Sequence, residues 1–199
     1  MKQVARIILA SASPRRREIL EKLGLTFEVR PSDVDESERP GEQPLDYVRR
    51  LAEEKARACS ISHEAGESLV VLGSDTTVVL DGVVLQKPVD LAESERMLRS
   101  LRGREHVVHT AVAALSAPSG EARVVAVSTK VRFRNFSDLT LSRYVQSREG
   151  MDKAGSYGIQ ELGAGLVAEV FGSYSNVVGL PAAETLELLE AIGALSEWP

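Results

Sequence analysis

The chain has little of several residue types, and each scarcity excludes a class of protein. Cys59 is the one cysteine among 199 residues, which excludes an intrachain disulfide and fits a reducing compartment. Its apolar runs are far shorter than a membrane span, and the run near the N-terminus is too short for the core of a secretory signal. We therefore expect a cytoplasmic protein that does not bind a membrane.

Positive charge is also in short supply. The 24 Lys and Arg residues are outnumbered by 29 Asp and Glu residues, which gives a formal net charge of -5. A protein that binds a nucleic-acid polymer needs an excess of positive charge on one face, so this class is disfavoured. Any anionic ligand must instead be held by a local group of cations.

The remaining composition is that of an ordinary globular protein, and the pattern along the chain predicts an α/β fold. We expect a single domain over residues 1–199, because strand-like runs alternate with helical patterns throughout. The pair Asp81-Gly82 between two apolar runs indicates a hairpin, and residues 106–116 and 123–134 indicate a second one. The β-sheet should therefore be mixed, with the hairpins forming a second lobe and a cleft between the lobes.

The first candidate site is a basic helix N-terminus. Ser13 and Pro14 are typical of a helix start, and Gly24 is a natural end for that helix. Unpaired N–H groups there, with Arg15 and Arg16, would bind phosphate oxygens. The alternative is a simple cap followed by solvated arginines.

The second candidate is Asp75, which directly follows an apolar run at residues 68–73 and is expected to stand where that strand ends. A carboxylate at such a position can hold a divalent metal or polarise a water molecule, whereas the alternative is a turn aspartate. The neighbouring Thr76 belongs to the same short polar segment.

Other charged residues are ambiguous when taken singly. Lys55 lies in a helix expected from Pro44 to about Ser62, and Lys87 follows the first hairpin. Taken alone, each is interpreted as a surface lysine or a member of an intrahelical ion pair rather than as a site residue. Glu36 belongs to an acidic loop whose simplest interpretation is solvation.

The glycine-rich segment 152–160 carries Lys153 and Gln160. Its glycines would allow a ligand to approach the backbone, and the Gln160 amide could read the edge of a base. The alternative is a flexible surface loop. His106 and His109 lie three apart in a strand-like run, so they should face opposite sides rather than share a metal.

Five further patterns are, in order, SASPRR at 11–16, SDT at 74–76, KP at 87–88, DKAGSYGIQ at 152–160 and GSYSNVVGLP at 172–181. Together, and in this order, these segments resemble the Maf family of nucleotide pyrophosphatases. The resemblance implies an inosine-triphosphatase-like fold of two lobes around a central cleft, and frequent homodimers. It also implies hydrolysis of a nucleoside triphosphate to the monophosphate and pyrophosphate, with Mg²⁺ or Mn²⁺ as cofactor.

The resemblance also assigns roles to individual residues. It makes Asp75 the proton acceptor and a candidate metal ligand together with Glu36. Arg15, Thr76 and Gln160 occupy the positions associated with the base. The residues expected to bind phosphate are Ser13, Arg16, Lys55, Lys87 and Lys153.

The three base-associated residues are similar to those of the branch that acts on dTTP and UTP. Ser74 departs from that branch, which usually has alanine there, and is more typical of the branch that acts on 7-methyl-GTP. A 7-methyl-GTP pyrophosphatase is therefore one alternative. Another is a nucleotide-binding regulator of septum formation that does not require turnover.

Overall fold

The computed structural model describes residues 2–59, 68–117 and 119–198, and it has the mixed α/β architecture that the sequence predicts. There are two short 3₁₀ turns, of which Ala154–Ser156 lies in the glycine-rich segment and Leu162–Leu166 follows it. No described helix is both long enough and apolar enough to cross a bilayer. The helices are α1 (Pro14–Lys22), α2 (Pro44–Ala58), α3 (Leu91–Leu101), α4 (Asp138–Ser147), α5 (Tyr174–Val178) and α6 (Ala182–Ala191).

The larger sheet combines parallel and antiparallel strands. The strands are β1 (Lys2–Gln3), β2 (Arg6–Leu9), β3 (Phe27–Val29), β4 (Leu69–Leu80), β5 (Val83–Leu85), β6 (Glu105–Ser116), β7 (Ala122–Phe133), β8 (Val167–Phe171) and β9 (Leu195–Glu197). The sheet has the order β3-β2-β4-β6-β7-β8, and β5 pairs with β4. Strand β2 is parallel to β3 and β4, whereas the β4–β5 and β7–β8 pairs are antiparallel. A separate small pair joins β1 to β9.

Local signals set most helix ends. Pro14 begins α1, and Gly24, with a φ of 76°, follows its end. The Asp90 side chain accepts a hydrogen bond from the Glu93 N–H at 2.7 Å, a capping contact at the start of α3. Ser13 is the exception: it occupies the N-cap position without a side-chain cap hydrogen bond.

Two other expectations need correction. Helix α2 ends at Ala58, earlier than expected, and Ser62 lies outside the described residues. The strand that was expected to end near Asp75 continues to Leu80 as β4. Strand β2 pairs with residues 69–72 and β5 pairs with residues 78–80, while β6 is the other neighbour of β4 in the sheet order, so the chain continues as a strand between these pairings. Asp75 is therefore a mid-strand residue.

The chain divides into two compact units, and β4, β6 and β7 contribute residues to both. Unit 1 consists of Met1–Asp75, Thr110–Val127 and Gly179–Pro199; unit 2 consists of Thr76–His109 and Ser128–Val178. Unit 1 has two hydrophobic clusters, one containing Ile7 and the other containing Ile8. Because successive strand residues face opposite sides, unit 1 buries both faces of its part of the sheet.

Candidate active site

In unit 1, a buried lysine joins two carboxylates. The Lys55 Nζ atom lies 2.7 Å from Asp75 Oδ1 and 2.5 Å from Glu36 Oε1. Lys55 and Asp75 are only 9% and 8% exposed, while about half of the Glu36 side chain is exposed. The interpretation of Lys55 as a surface lysine or an intrahelical ion pair is therefore wrong, because its partners come from other parts of the chain.

A glycine allows α2 to lie close enough for this contact. A Cβ atom on Gly73 would lie 2.1 Å from the Ala52 carbonyl oxygen and 2.6 Å from the Ala56 backbone nitrogen. Both atoms belong to the backbone of the helix that carries Lys55, so a side chain at position 73 would meet a rigid neighbour. Gly73 thus sets the spacing between α2 and the strand that carries Asp75.

The acidic loop is bound to α2 at Glu36 and at the residue that follows it. The Tyr47 hydroxyl donates to the Glu36 carbonyl at 2.8 Å, and Arg50 donates to the Ser37 carbonyl at 3.0 Å. Arg50 also donates to both oxygens of Glu42, at 2.6 and 2.7 Å, and this hydrogen bonding lowers the pKa of Glu42 to about 2. The loop is therefore more than a solvated acidic segment.

Arg16 is the second cation of this region. Its Nε donates to the Gly179 carbonyl at 2.9 Å, and its Nη1 donates to Ser11 Oγ at 3.1 Å. Burial lowers the pKa of the Arg16 guanidinium, while the charges of Asp75 and Glu36 act in the opposite direction. Arg16 thus lies within electrostatic reach of both carboxylates.

The same contacts reveal two groups to which sequence reasoning assigned no role, although they lie in the family segments 11–16 and 172–181. Ser11 Oγ accepts hydrogen bonds from Arg16 and from the Ser13 N–H, the latter at 3.2 Å. Its position two residues before the N-cap residue Ser13 was the only local signal for this role. The Gly179 carbonyl has no such signal, because it lies 163 residues from Arg16 in the chain. Ser13 and Arg15 are both half-buried at the start of α1.

In unit 2, two of the remaining predicted site residues, Lys153 and Gln160, lie in the glycine-rich segment. The Lys153 Nζ donates to the Glu149 carbonyl and, at 2.6 Å, to Asp152 Oδ1. The Gly155 N–H donates to the Gln86 carbonyl at 3.2 Å, which joins this segment to the residue before Lys87.

The side chains of the other predicted residues in unit 2 differ in exposure. Lys87 and Gln160 are exposed, and Thr76 is half-buried. The two histidines of β6 have separate partners: His106 Nε2 lies 2.7 Å from the Tyr157 hydroxyl, and His109 Nδ1 lies 2.7 Å from Ser128 Oγ.

The carboxylates of unit 1 suit a divalent cation. Within residues 2–59, 68–117 and 119–198, no group of three or more His, Cys, Asp or Glu side chains could hold a metal. Glu36 and Asp75 provide two carboxylates, which contact Lys55 through Oε1 and Oδ1 respectively. Mg²⁺ is commonly bound by one or two carboxylates and completed by substrate phosphates, so this donor set fits.

A mixed α/β fold with a buried carboxylate beside lysine and arginine suits an enzyme that acts on a phosphate compound. The family model described as Maf-like protein matches residues 6–192, and the chain belongs to this family. A relative from Shewanella oneidensis is 50% identical over 194 residues, covering 95% of this chain and 99% of the relative. A relative from Hahella chejuensis is 48% identical over 188 residues, with 94% and 92% covered. Both are named dTTP/UTP pyrophosphatase.

Proposed function

We propose that this protein hydrolyses nucleoside triphosphates to the monophosphate and pyrophosphate, with preference for dTTP and UTP. The observation that carries the proposal is the buried Lys55–Asp75 contact of 2.7 Å, with Glu36 on the same ammonium. The membership of the Maf-like family and the names of the relatives support the substrate class.

Asp75 is the proposed base. Its Oδ1 is fixed by Lys55, so the carboxylate has a defined direction in which to orient a water molecule. The water oxygen attacks the α-phosphorus, the bond from that phosphorus to the bridging oxygen breaks, pyrophosphate leaves, and Asp75 takes the water proton. A divalent cation held by Glu36 and Asp75 would neutralise charge on the phosphate oxygens.

The cations bind the triphosphate in this proposal. A triphosphate carries about four negative charges, and the departing pyrophosphate gains more, so catalysis depends on positioned positive charge. The proposed phosphate ligands of unit 1 are Ser13, Arg16 and Lys55, and those of unit 2 are Lys87 and Lys153.

Arg15, Thr76 and Gln160 are the proposed base-recognition residues. Ser74, which departs from the dTTP/UTP pattern, is fully buried and donates to the Gly179 carbonyl at 3.4 Å. A hydroxyl used in this way satisfies the backbone, so the departure gives no support to a 7-methyl-GTP substrate.

A panel of nucleotides tests the proposal. Pyrophosphate release is measured with dTTP, UTP, dCTP and 7-methyl-GTP, with Mg²⁺ or Mn²⁺ and with a chelator. We expect dTTP and UTP to be preferred, and the folded Asp75→Asn variant to lose at least about 100-fold in kcat. Preference for 7-methyl-GTP would contradict the substrate assignment, and full activity of Asp75→Asn would contradict the role of Asp75.

A further inference from the structure

Glu149 follows α4 in the chain and binds the backbone on the C-terminal side of Gln160. Arg148 ends α4 with a left-handed φ of 63°, which turns the chain at this point. The Glu149 carboxylate accepts the Leu162 N–H at 2.9 Å on Oε2 and the Gly163 N–H at 3.0 Å on Oε1. Two successive backbone groups after Gln160 are therefore bound by one side chain.

Tyr144 connects the same carboxylate to the backbone on the N-terminal side of Gln160. Its hydroxyl donates to Glu149 Oε1 at 3.1 Å and accepts the Gly158 N–H at 3.1 Å. Tyr144 is only 6% exposed, and burial raises its pKa, so the hydroxyl keeps its proton for this bond. The backbone is thus fixed both before and after Gln160, whose own side chain is exposed.

The two fixed points are also in close contact with each other. A Cβ atom on Gly163 would lie 2.1 Å from the Gly158 carbonyl oxygen and 2.8 Å from the Tyr144 hydroxyl. A side chain at position 163 would therefore separate the backbone on the two sides of Gln160. By contrast, a Cβ atom on Gly165, in the same 3₁₀ turn, would meet no atom within 4 Å.

The main chain of Glu149 makes a further contact that bears on the substrate. Its carbonyl accepts a hydrogen bond from Lys153 Nζ, a proposed phosphate ligand. One residue thus holds a proposed phosphate lysine through its carbonyl and the backbone around the proposed base-recognition glutamine through its carboxylate.

We propose that Glu149 is a positioning residue for base selectivity, acting through the backbone that it binds on both sides of Gln160. This inference rests on the proposed function. A glutamine at position 149 retains one acceptor oxygen and loses the charge that strengthens the bonds to Leu162 and Gly163. Gln160 would then sample more positions, and a group that reads a base edge would discriminate less.

The two nucleotides dTTP and dCTP differ at the pyrimidine edge. The test is therefore the ratio of kcat/KM for dTTP to kcat/KM for dCTP. We expect the ratio to fall at least about fivefold in Glu149→Gln, mainly through KM for dTTP, and by a similar factor in Gly163→Ala. Hydrogen exchange at the amides of Leu162 and Gly163 should become faster in Glu149→Gln. Tyr144→Phe keeps the ring, removes only the hydroxyl, and should lower the ratio less.

Two controls isolate the effect. Gly165→Ala makes the same chemical change in the same turn where space is open, and Glu161→Gln removes a charge from an exposed side chain beside Gln160. Both should keep the wild-type ratio. An unchanged ratio in folded Glu149→Gln and Tyr144→Phe would overturn the inference, whereas an absent dTTP preference in the wild type would contradict the proposed function instead.

Discussion

Replacing Gly73 with alanine tests how α2 places Lys55 beside Asp75. The new Cβ would lie 2.1 Å from the Ala52 carbonyl oxygen, whereas Cβ atoms essentially never approach another heavy atom closer than 3.0 Å. Both obstructing atoms belong to helix backbone, so no side-chain rotation can relieve the contact. The helix or the strand must move by about 1 Å.

The magnitude follows from this displacement. Overpacking of a core costs typically about 1–3 kcal/mol of unfolding free energy, and we expect the upper part of this range because the clash is with backbone. Lys55 lies within one turn of both Ala52 and Ala56, so its 2.7 Å contact with Asp75 cannot survive a shift of that size unaltered. A misplacement of about 1 Å can cost about 100-fold in rate.

Urea unfolding measures the loss of stability, and pyrophosphate release from dTTP measures the loss of activity. Gly165→Ala is the matched control, since its Cβ meets open space, and it should retain both properties. If Gly73→Ala unfolds at the wild-type urea concentration and hydrolyses dTTP at the wild-type rate, the reasoning about helix spacing is refuted.

Three further substitutions test other parts of the structure. His106 is 2% exposed, and burial lowers its pKa to about 4. Between about pH 6.5 and pH 4, the imidazole is therefore protonated in the unfolded chain and neutral in the folded one, so stability falls as the pH falls. Between pH 7 and pH 5 the wild type should lose about 2 kcal/mol more unfolding free energy than His106→Gln, and equal losses would contradict this. Arg50→Ala should return the pKa of Glu42 from about 2 toward its usual 4.5, as an NMR titration would detect; an unchanged value would dismiss Arg50 as the cause. Thr129→Val removes the hydroxyl that bonds Ser173 and Asn176 and should cost about 2 kcal/mol in thermal unfolding, with Thr129→Ser as the control that retains it.

The helix starts were predictable because each depends on residues that are neighbours in the chain. Pro14 is the first residue of α1, and the Asp90 and Ser137 side chains cap the helices that they directly precede. The course of β4 was not predictable in the same way. Its continuation through Asp75 depends on pairing with strands distant in the chain, β6 among them, and a short polar segment inside a long strand has the same local pattern as a turn.

The candidate site was only partly accessible to sequence reasoning. Local pattern left Lys55 as a surface lysine, because its partner Asp75 is 20 residues away and its burial depends on how α2 packs. The resemblance to the Maf family placed it among the phosphate ligands, which remains a proposal. The role of Gly73 in setting the spacing of α2 could not be predicted, because a glycine in a strand does not indicate which helix backbone lies in contact with it.

The ammonium of Lys55 gives Asp75 and Glu36 a counter-ion that is attached to the chain itself. In a structural zinc site, by contrast, the metal is the counter-ion, and stripping it unfolds the domain. Here the carboxylates share an ammonium of the chain before any ion or nucleotide binds, so we expect the protein to fold without the ion. A chelator should therefore stop turnover while leaving the thermal unfolding temperature where it was, and the enzyme should recover at once when divalent ions are restored.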